Sequence, residues 1–461
     1  MSTSTSTSTS APSPGIVVCS GGSAANNLVD VFDSVAHAKA CQLSYIIPIS
    51  DNGGSSSELL RVFGGPSVGD VRSRLVRLIP SDPSNSERTA IKAFFNHRLP
   101  SNADLARIEW HSIIESRSEL WRNISSSKRE LIRSFLLHLH HEILKRARPP
   151  SHTFSFQAAA VGNLFLTGAR LFCGSFEAAV YLLSSITGVS EHVQVLPAVN
   201  SNFTHHISAG LRDGSVVVGQ NAISHPSART ALPEAITSAS TTASTSTSTS
   251  DNENEDEEED NEAEDGADPP EEDANLPGSL PSLRRQNIAF SKTMDEPLPA
   301  RIERIWYINP FGHEIRPPAN PRVLDALRAA DSIVYSIGSL YTSIIPCLIL
   351  KGVGDAISSL SSSSSSSTRG KEKIRKKILI LNGTLDRETS ATSITPAFTA
   401  TEFVLAITRA CLYSRTSPSL PLASIEDTSV VRREVKNFVS HVLHLPSSPH
   451  NAATDIRSWH I

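Results

Sequence analysis

PISDNGGSSSELLRVFGGPSVGDVRSRL, residues 48–75, places two glycine-bearing polar loops behind a short apolar run. Tyr45-Ile46-Ile47-Pro48-Ile49 reads as a buried strand, and Ser50 to Ser57 reads as the loop leaving its carboxyl end. Glycines let a backbone approach a ligand closely, and serines at a helix start add hydroxyls to its free N–H groups. A second loop, Gly64-Gly65-Pro66-Ser67-Val68-Gly69-Asp70, opens a helix that carries Arg72 and Arg74. Carboxylates, hydroxyls, N–H donors and arginines side by side suit a phosphorylated ligand, with or without a divalent cation bridging carboxylate and phosphate.

The pattern recurs. Ile16-Val17-Val18-Cys19 stops at Ser20-Gly21-Gly22-Ser23, and the following helix is expected to bury Leu28, Val29, Val31, Phe32 and Val35 as one face. Ser332 to Ser336 leads into Gly338-Ser339-Leu340-Tyr341-Thr342-Ser343, and Ile378 to Leu381 delivers Asn382-Gly383-Thr384. Four strand-then-polar-loop units in a parallel sheet would all open at one carboxyl edge, where open α/β sheets bind ligands. The expected fold is therefore α/β, a Rossmann-like three-layer sandwich on a mostly parallel sheet. Neither G-x-G-x-x-G nor G-x-x-x-x-G-K-[ST] occurs, so ordinary dinucleotide and P-loop assignments lack their fingerprints. Asp51 reads as a general base, a magnesium ligand or an ordinary helix cap. Arg61 and Arg72 read as a phosphate clamp, the alternative being pairing with Asp70 and Glu58.

The remaining segments bound the domain. Helical periodicity alone fills about 84–148, a helical insertion or cap whose His138 and His141 have one-turn spacing without a cluster to complete a metal site. Ser175 and Gly188 cap a helix, Val193 to Val199 is strand-like, and 206–219 reads as a hairpin turning on Asp213-Gly214. Helices are expected near Glu402 to Cys411 and Val430 to Leu443. One α/β domain is thus assembled from 15–80, 150–226 and 300–445. It is interrupted by the insertion at 81–149, a disordered acidic insert at 227–299 and a serine-rich loop at 358–371, with tails at 1–14 and 446–461.

Formal net charge is −5, but residues 251–273 hold 15 of the 47 acidic residues and no base. The rest has 32 acids against 42 bases, a mildly basic balance without the stripe expected of a nucleic-acid binder. Five cysteines, odd in number and mostly in apolar runs, read as reduced core residues. No apolar run is long enough to span a bilayer, and a cytoplasmic location is expected.

These motifs together resemble the CofD/YvcK family, which includes 2-phospho-L-lactate transferase and the gluconeogenesis-factor proteins. The order GGS, SDNGGSSSELLR, GDVRSRL, VGNLFL, DGSVVVGQ, ADSIVYSIGSLYTSIIPCLI and NGTLDRET spans about 15–412 and is closer to the YvcK branch. Alanines after Ser23, and Arg74 and Cys347 in place of common asparagines, depart from the family pattern. The resemblance implies a ligand among Gly21, Gly22, Ser23, Asn52, Gly53, Gly54, Ser55, Ser56, Arg61, Arg72, Asn163, Gly338, Ser339, Leu340, Tyr341, Thr342, Ser343 and Asn382. Asp51 and Asp70 would be catalytic or hold Mg2+. The implied partner is a phosphorylated, nucleotide-linked small molecule, acted on by a transferase or bound by a non-catalytic sensor of UDP-sugar or NADP(H). A homodimer is an expectation left open.

Overall fold

β-branched, apolar runs with no internal charge favour strands buried on both faces, and the chain begins its sheet with one. β1 (Gly15–Cys19) and β2 (Gln42–Ile47) pair in parallel, with Val17 opposite Ser44, and both are buried along almost their whole length. The computed structural model describes residues 15–80, 84–148, 153–225, 280, 283, 297–358, 375–391, 396–415 and 427–445. The tails, most of the acidic insert and nearly all of the serine-rich loop lie outside the described residues.

β3 (Val193–Pro197) pairs with β2. An antiparallel sheet follows, made of β4 (His206–Leu211), β5 (Val216–Val218), β6 (Ile302–Ile308) and β7 (Glu314–Ile315) in the order β5-β4-β6-β7. Its β4–β5 hairpin turns where expected, with Gly214 at φ 85° and the Asp213 side chain accepting from the Ser215 N–H. The first sheet is completed by β8 (Ala330–Tyr335), β9 (Lys376–Ile380) and β10 (His441–Leu443). Its order is β10-β9-β8-β1-β2-β3, and every pairing in it is parallel. Chain order therefore runs outward from β1 to β3, returns to the centre, and runs outward again from β8 to β10. The reversal lies between β1 and β8, the topological switch point of a Rossmann-like sheet.

Helices cover the sheet. α1 (Val29–Ala38) buries Val29, Phe32 and Ala36, whereas Val31 and Val35 are exposed, so the apolar face is narrower than the sequence periodicity suggested. α2 (Ser55–Phe63) and α3 (Gly69–Leu78) follow β2. α4 (Ser86–Asn96), α5 (Ala103–Ile114) and α6 (Ser126–Arg146) form the expected helical insertion. It packs on α7 (Val161–Cys173) so tightly that a methyl group at Gly168 would overlap the Phe135 carbonyl and lie 3.1 Å from Leu139 Cβ. α8 (Phe176–Thr187) has the expected caps, Ser175 accepting from the Ala178 N–H and Gly188 in the left-handed region.

Two expectations change. The proposed helix over Val430–Leu443 stops at Glu434, passes through a 3-10 turn and ends as β10, which supplies the open edge of β9 with a partner. Phe438 is fully buried and its carbonyl accepts from the Tyr335 hydroxyl at 2.8 Å, an anchor that a continuing helix would have turned away. Of the five cysteines, Cys19, Cys41, Cys347 and Cys411 are free and buried as expected, but Cys173 at the end of α7 is exposed.

Close helix contact at Gly168 joins the insertion to the α/β body, and backbone carbonyl cannot retreat without moving α6. Gly168→Ala is expected to lower unfolding stability by about 2 kcal/mol in urea titration. Unchanged stability would show that the insertion is loosely attached.

Candidate functional site

Loops that leave β1, β2, β8 and β9 all open at the carboxyl edge, because all four strands are parallel. The loop after β2 is shaped by Asp51, whose Oδ1 accepts from the Gly53 N–H at 3.0 Å. Gly54 then enters α2 with φ 57°, a backbone that suits glycine, and the space beside its Cα is open. The α3 start returns to the same place. A methyl at Gly69 would lie 2.6 Å from Ser56 Oγ and 2.7 Å from Asp51 Oδ2, and one at Gly22 would overlap the Asp70 carboxylate. A methyl at Gly21 would sit 2.5 Å from Ser343 Oγ and 3.8 Å from Asp70 Oδ2. Gly21, Gly22, Asp51, Ser56, Asp70 and Ser343, drawn from the loops after β1, β2 and β8 and from the start of α3, thus converge at the switch point.

Electrostatics at this point are dominated by two carboxylates. Burial pushes the Asp70 carboxyl up, the charge of Asp51 adds to it, and the result is about 7 despite the Gly22 N–H and the nearby Arg74 and Arg72. Asp51 is also raised by burial, opposed by the Gly53 N–H, the Ser56 and Ser67 hydroxyls and Arg72. Such a pair either shares a proton or offers its oxygens to a hard cation.

The remaining expected residues divide by what they touch. Arg72 is buried, and its Nε donates to Asn163 Oδ1 at 3.1 Å while another nitrogen reaches Asn96 Oδ1 at 3.4 Å. Asn163 in turn donates to Ser55 Oγ at 3.0 Å, so Arg72 is braced between α7, the insertion and the start of α2. Burial holds its guanidinium down at about 10, with Asp70 and Asp51 acting in the opposite sense. Arg61 forms a two-pronged pair with Glu58, both contacts 2.8 Å, and donates to the Thr153 carbonyl, the pairing that the sequence offered as the alternative to a phosphate clamp. Asn52 is buried and directed at α9 (Gln220–Ser224), accepting from the Asn221 N–H at 2.8 Å. Ser23 is exposed at the entrance to a 3-10 turn, and its side chain makes no cap.

In the loop after β8, Gly338 (φ 138°) is held from both sides by Asn382, which accepts from its N–H and donates to its carbonyl, each at 2.9 Å. Ser339 precedes the wide turn Leu340–Ile344, and Pro346, lacking an N–H, follows it. Leu340 and Tyr341 point into the core, and the Tyr341 hydroxyl donates to the Ile302 carbonyl at 3.1 Å. The N–H groups of Tyr341 and Thr342 donate to Glu388 at 2.7 and 3.3 Å, and the Thr342 hydroxyl bonds its other oxygen. Ser343 of this turn faces the first glycine loop.

Glu388 was not anticipated from the sequence. The signal available was the carboxylate in NGTLDRET; Ser339 stands at the start of the turn it serves, but the Ser339 side chain makes no cap. Among the described residues, His138 and His141 included, no three His, Cys, Asp or Glu side chains are grouped to hold an ion. Among those residues, too, no helix is long and apolar enough to cross a membrane.

A six-stranded parallel sheet in this order, with glycine loops and a carboxylate pair at the reversal, defines a Rossmann-like α/β protein with its candidate site at the switch point. The chain belongs to the family described as 2-phospho-L-lactate transferase CofD, whose sequence profile matches residues 16–364. It is 42% identical over 375 residues, 81% of this chain and 79% of the relative, to the uncharacterized protein YNL011C of Saccharomyces cerevisiae. The crystal structure of a UPF0052 family protein, BH3568 from Bacillus halodurans, shares the fold with TM-score 0.50 and 18% identity, covering 95% of this chain and 83% of that one.

Glu388 supplies a pH test. Burial, then the charge of Asp386, pushes its carboxyl up to about 8 from the ordinary 4.5. Between those values the unfolded chain ionises and the folded one keeps its proton, so stability falls as pH rises and levels off above about 8. Glu388→Gln keeps the acceptor and has no proton to lose. Its stability relative to wild type is expected to grow across that window, reaching on the order of 2 kcal/mol by thermal melts. A difference that does not vary with pH would place the Glu388 carboxyl at its ordinary value.

Proposed function

We propose that the switch-point edge binds a nucleoside-diphosphate-linked small molecule and passes a phosphorus-containing group from it to an acceptor hydroxyl, a 2-phospho-L-lactate transferase-type reaction. The observation that carries this reading is the half-buried Asp51–Asp70 pair lying against the glycine loops of β1 and β2. Family membership adds the reaction class.

The roles follow from position. N–H groups at the open start of α2 and of the first loop suit the diphosphate, since a helix start concentrates donors and positive potential. Arg72, buried beside both carboxylates, contributes positive charge to that end. Asp70, held near 7, is matched to taking the proton of the acceptor hydroxyl as its oxygen attacks phosphorus. The bond from phosphorus to the nucleoside monophosphate oxygen breaks, and the nucleotide leaves with that electron pair. The Asp51 carboxylate and the Ser56 and Ser67 hydroxyls beside it are all oxygen and fit a hard cation. Asp51 is the residue that would hold magnesium, which would supply counter-charge for phosphate oxygens, while Asp70 stays outside that ligand set and takes the proton.

The test is a thermal-shift panel of GDP, UDP-sugars and NADP(H), with and without magnesium. Wild type is expected to gain several degrees with at least one of these, and Asp51→Asn to weaken that ligand about tenfold or more. Absence of any shift would contradict the reading. Binding without turnover of an activated phospholactyl donor would instead mark the protein as a sensor.

A further inference from the structure

One peptide unit in the first glycine loop is gripped at both ends by the same helix. Asp70, Ser73 and Arg74 fall on one face of α3, at relative positions i, i+3 and i+4. Asp70 packs against Gly22 so closely that a Cβ there would lie 2.6 Å from Asp70 Cα, and the Gly21 carbonyl accepts from an Arg74 terminal nitrogen at 3.0 Å. Both contacts fall on the single peptide linking Gly21 to Gly22. The next carbonyl, Gly22 O, accepts from Ser73 Oγ at 3.1 Å, and Ser73 Oγ itself accepts from Asn26 Nδ2 at 3.1 Å.

We infer that Ser73 and Arg74 are positioning residues which, with Asp70, clamp the Gly21–Gly22 peptide and so fix which polar groups the first glycine loop turns toward the switch point. The geometry leaves the loop little alternative. Arg74 is 0% exposed, and it also donates to Ser20 Oγ at 3.2 Å and to the Ala25 carbonyl at 3.4 Å. Its guanidinium lies 4.6 Å from the centre of the Tyr45 ring, which fills the space beneath it. A buried guanidinium is costly where an apolar side chain of similar size would pack, and here its two terminal nitrogens serve residues 20–25 while Nε has no partner among the described residues. Gly22 is required for the approach, since a Cβ there would come 2.6 Å from Asp70 Cα. With the Gly21 carbonyl turned down to Arg74, the side of the loop facing Ser343 and Asp51 is freed of that acceptor, which would repel an anion. Asp70 thereby links the loop's orientation to the carboxylate pair. The inference takes from the proposed function only the place where the ligand sits.

Amide hydrogen exchange on the ligand-free, full-length protein tests it, comparing wild type with Ser73→Ala, Arg74→Lys and Arg74→Met. Ser73 is half-buried and its substitution removes one hydroxyl, so exchange across 20–25 is expected to rise up to about tenfold in Ser73→Ala. A larger rise is expected in Arg74→Met and an intermediate one in Arg74→Lys, with β1 and β2 protected as before. Unchanged exchange at 20–25 in Ser73→Ala, or a rise spread evenly over β1, β2 and β8, overturns the clamp. If Arg74→Met does not fold, the other two variants decide it. A wild-type protein that binds no nucleoside diphosphate contradicts the proposed function, and the clamp is then decided by the exchange data, which need no ligand.

Discussion

Asp51 and Asp70 are half-buried next to each other at the place where the parallel sheet reverses direction, and much of the surrounding structure serves to make that arrangement tolerable. A carboxylate out of water must find donors or keep its proton. Asp51 has the Gly53 N–H and the Ser67 hydroxyl, Asp70 packs against Gly22, and Arg72 and Arg74 stand behind them. These partners come from the loops after β1 and β2 and from α3, so satisfying the pair also sets the loops' mutual position. The absence of side chains at Gly22 and Gly69 is what lets backbone and carboxylate meet.

Support extends outward through polar side chains rather than apolar packing alone. Asn163 ties α7 to the start of α2, Asn382 holds Gly338, and Asn52 reaches α9. Arg387 donates to the carbonyls of Ala222, Ile223 and His225 at the end of that same helix. The loop after β9 is therefore a support for its neighbours: Asn382 and Glu388 shape the turn after β8, while Arg387 secures α9 against it. Buried polar groups of this kind specify one arrangement when each is satisfied, which is what a site built from separate loops requires.

Most of the sheet was legible because a parallel strand buried on both faces leaves a continuous apolar run, and four such runs ended in glycine or serine. The common edge of the four loops followed from that. The partition of residues within the loops did not, because it depends on contacts across long sequence distances. Arg61 looks the same in sequence whether it faces phosphate or Glu58, and only the position of 153–155 beside α2 decides it. Glu388 is remote from the turn it caps, and Arg74 is an ordinary helix arginine until the loop beneath it is in place. β10 was hidden for a related reason: its three residues become a strand because the edge of β9 is available.

The central claim is that the ligand lies at the switch point between β1 and β8, against the carboxylate pair. Its most direct test is a crystal structure of the full chain grown with GDP and magnesium, or with whichever nucleotide stabilises the protein. The account predicts density for the diphosphate among Gly21–Ser23, Asp51–Ser56 and Ser343, within reach of Asp51 and Asp70. Ordered nucleotide bound instead in the helical insertion or on the antiparallel sheet, with the switch point holding only water, would contradict it.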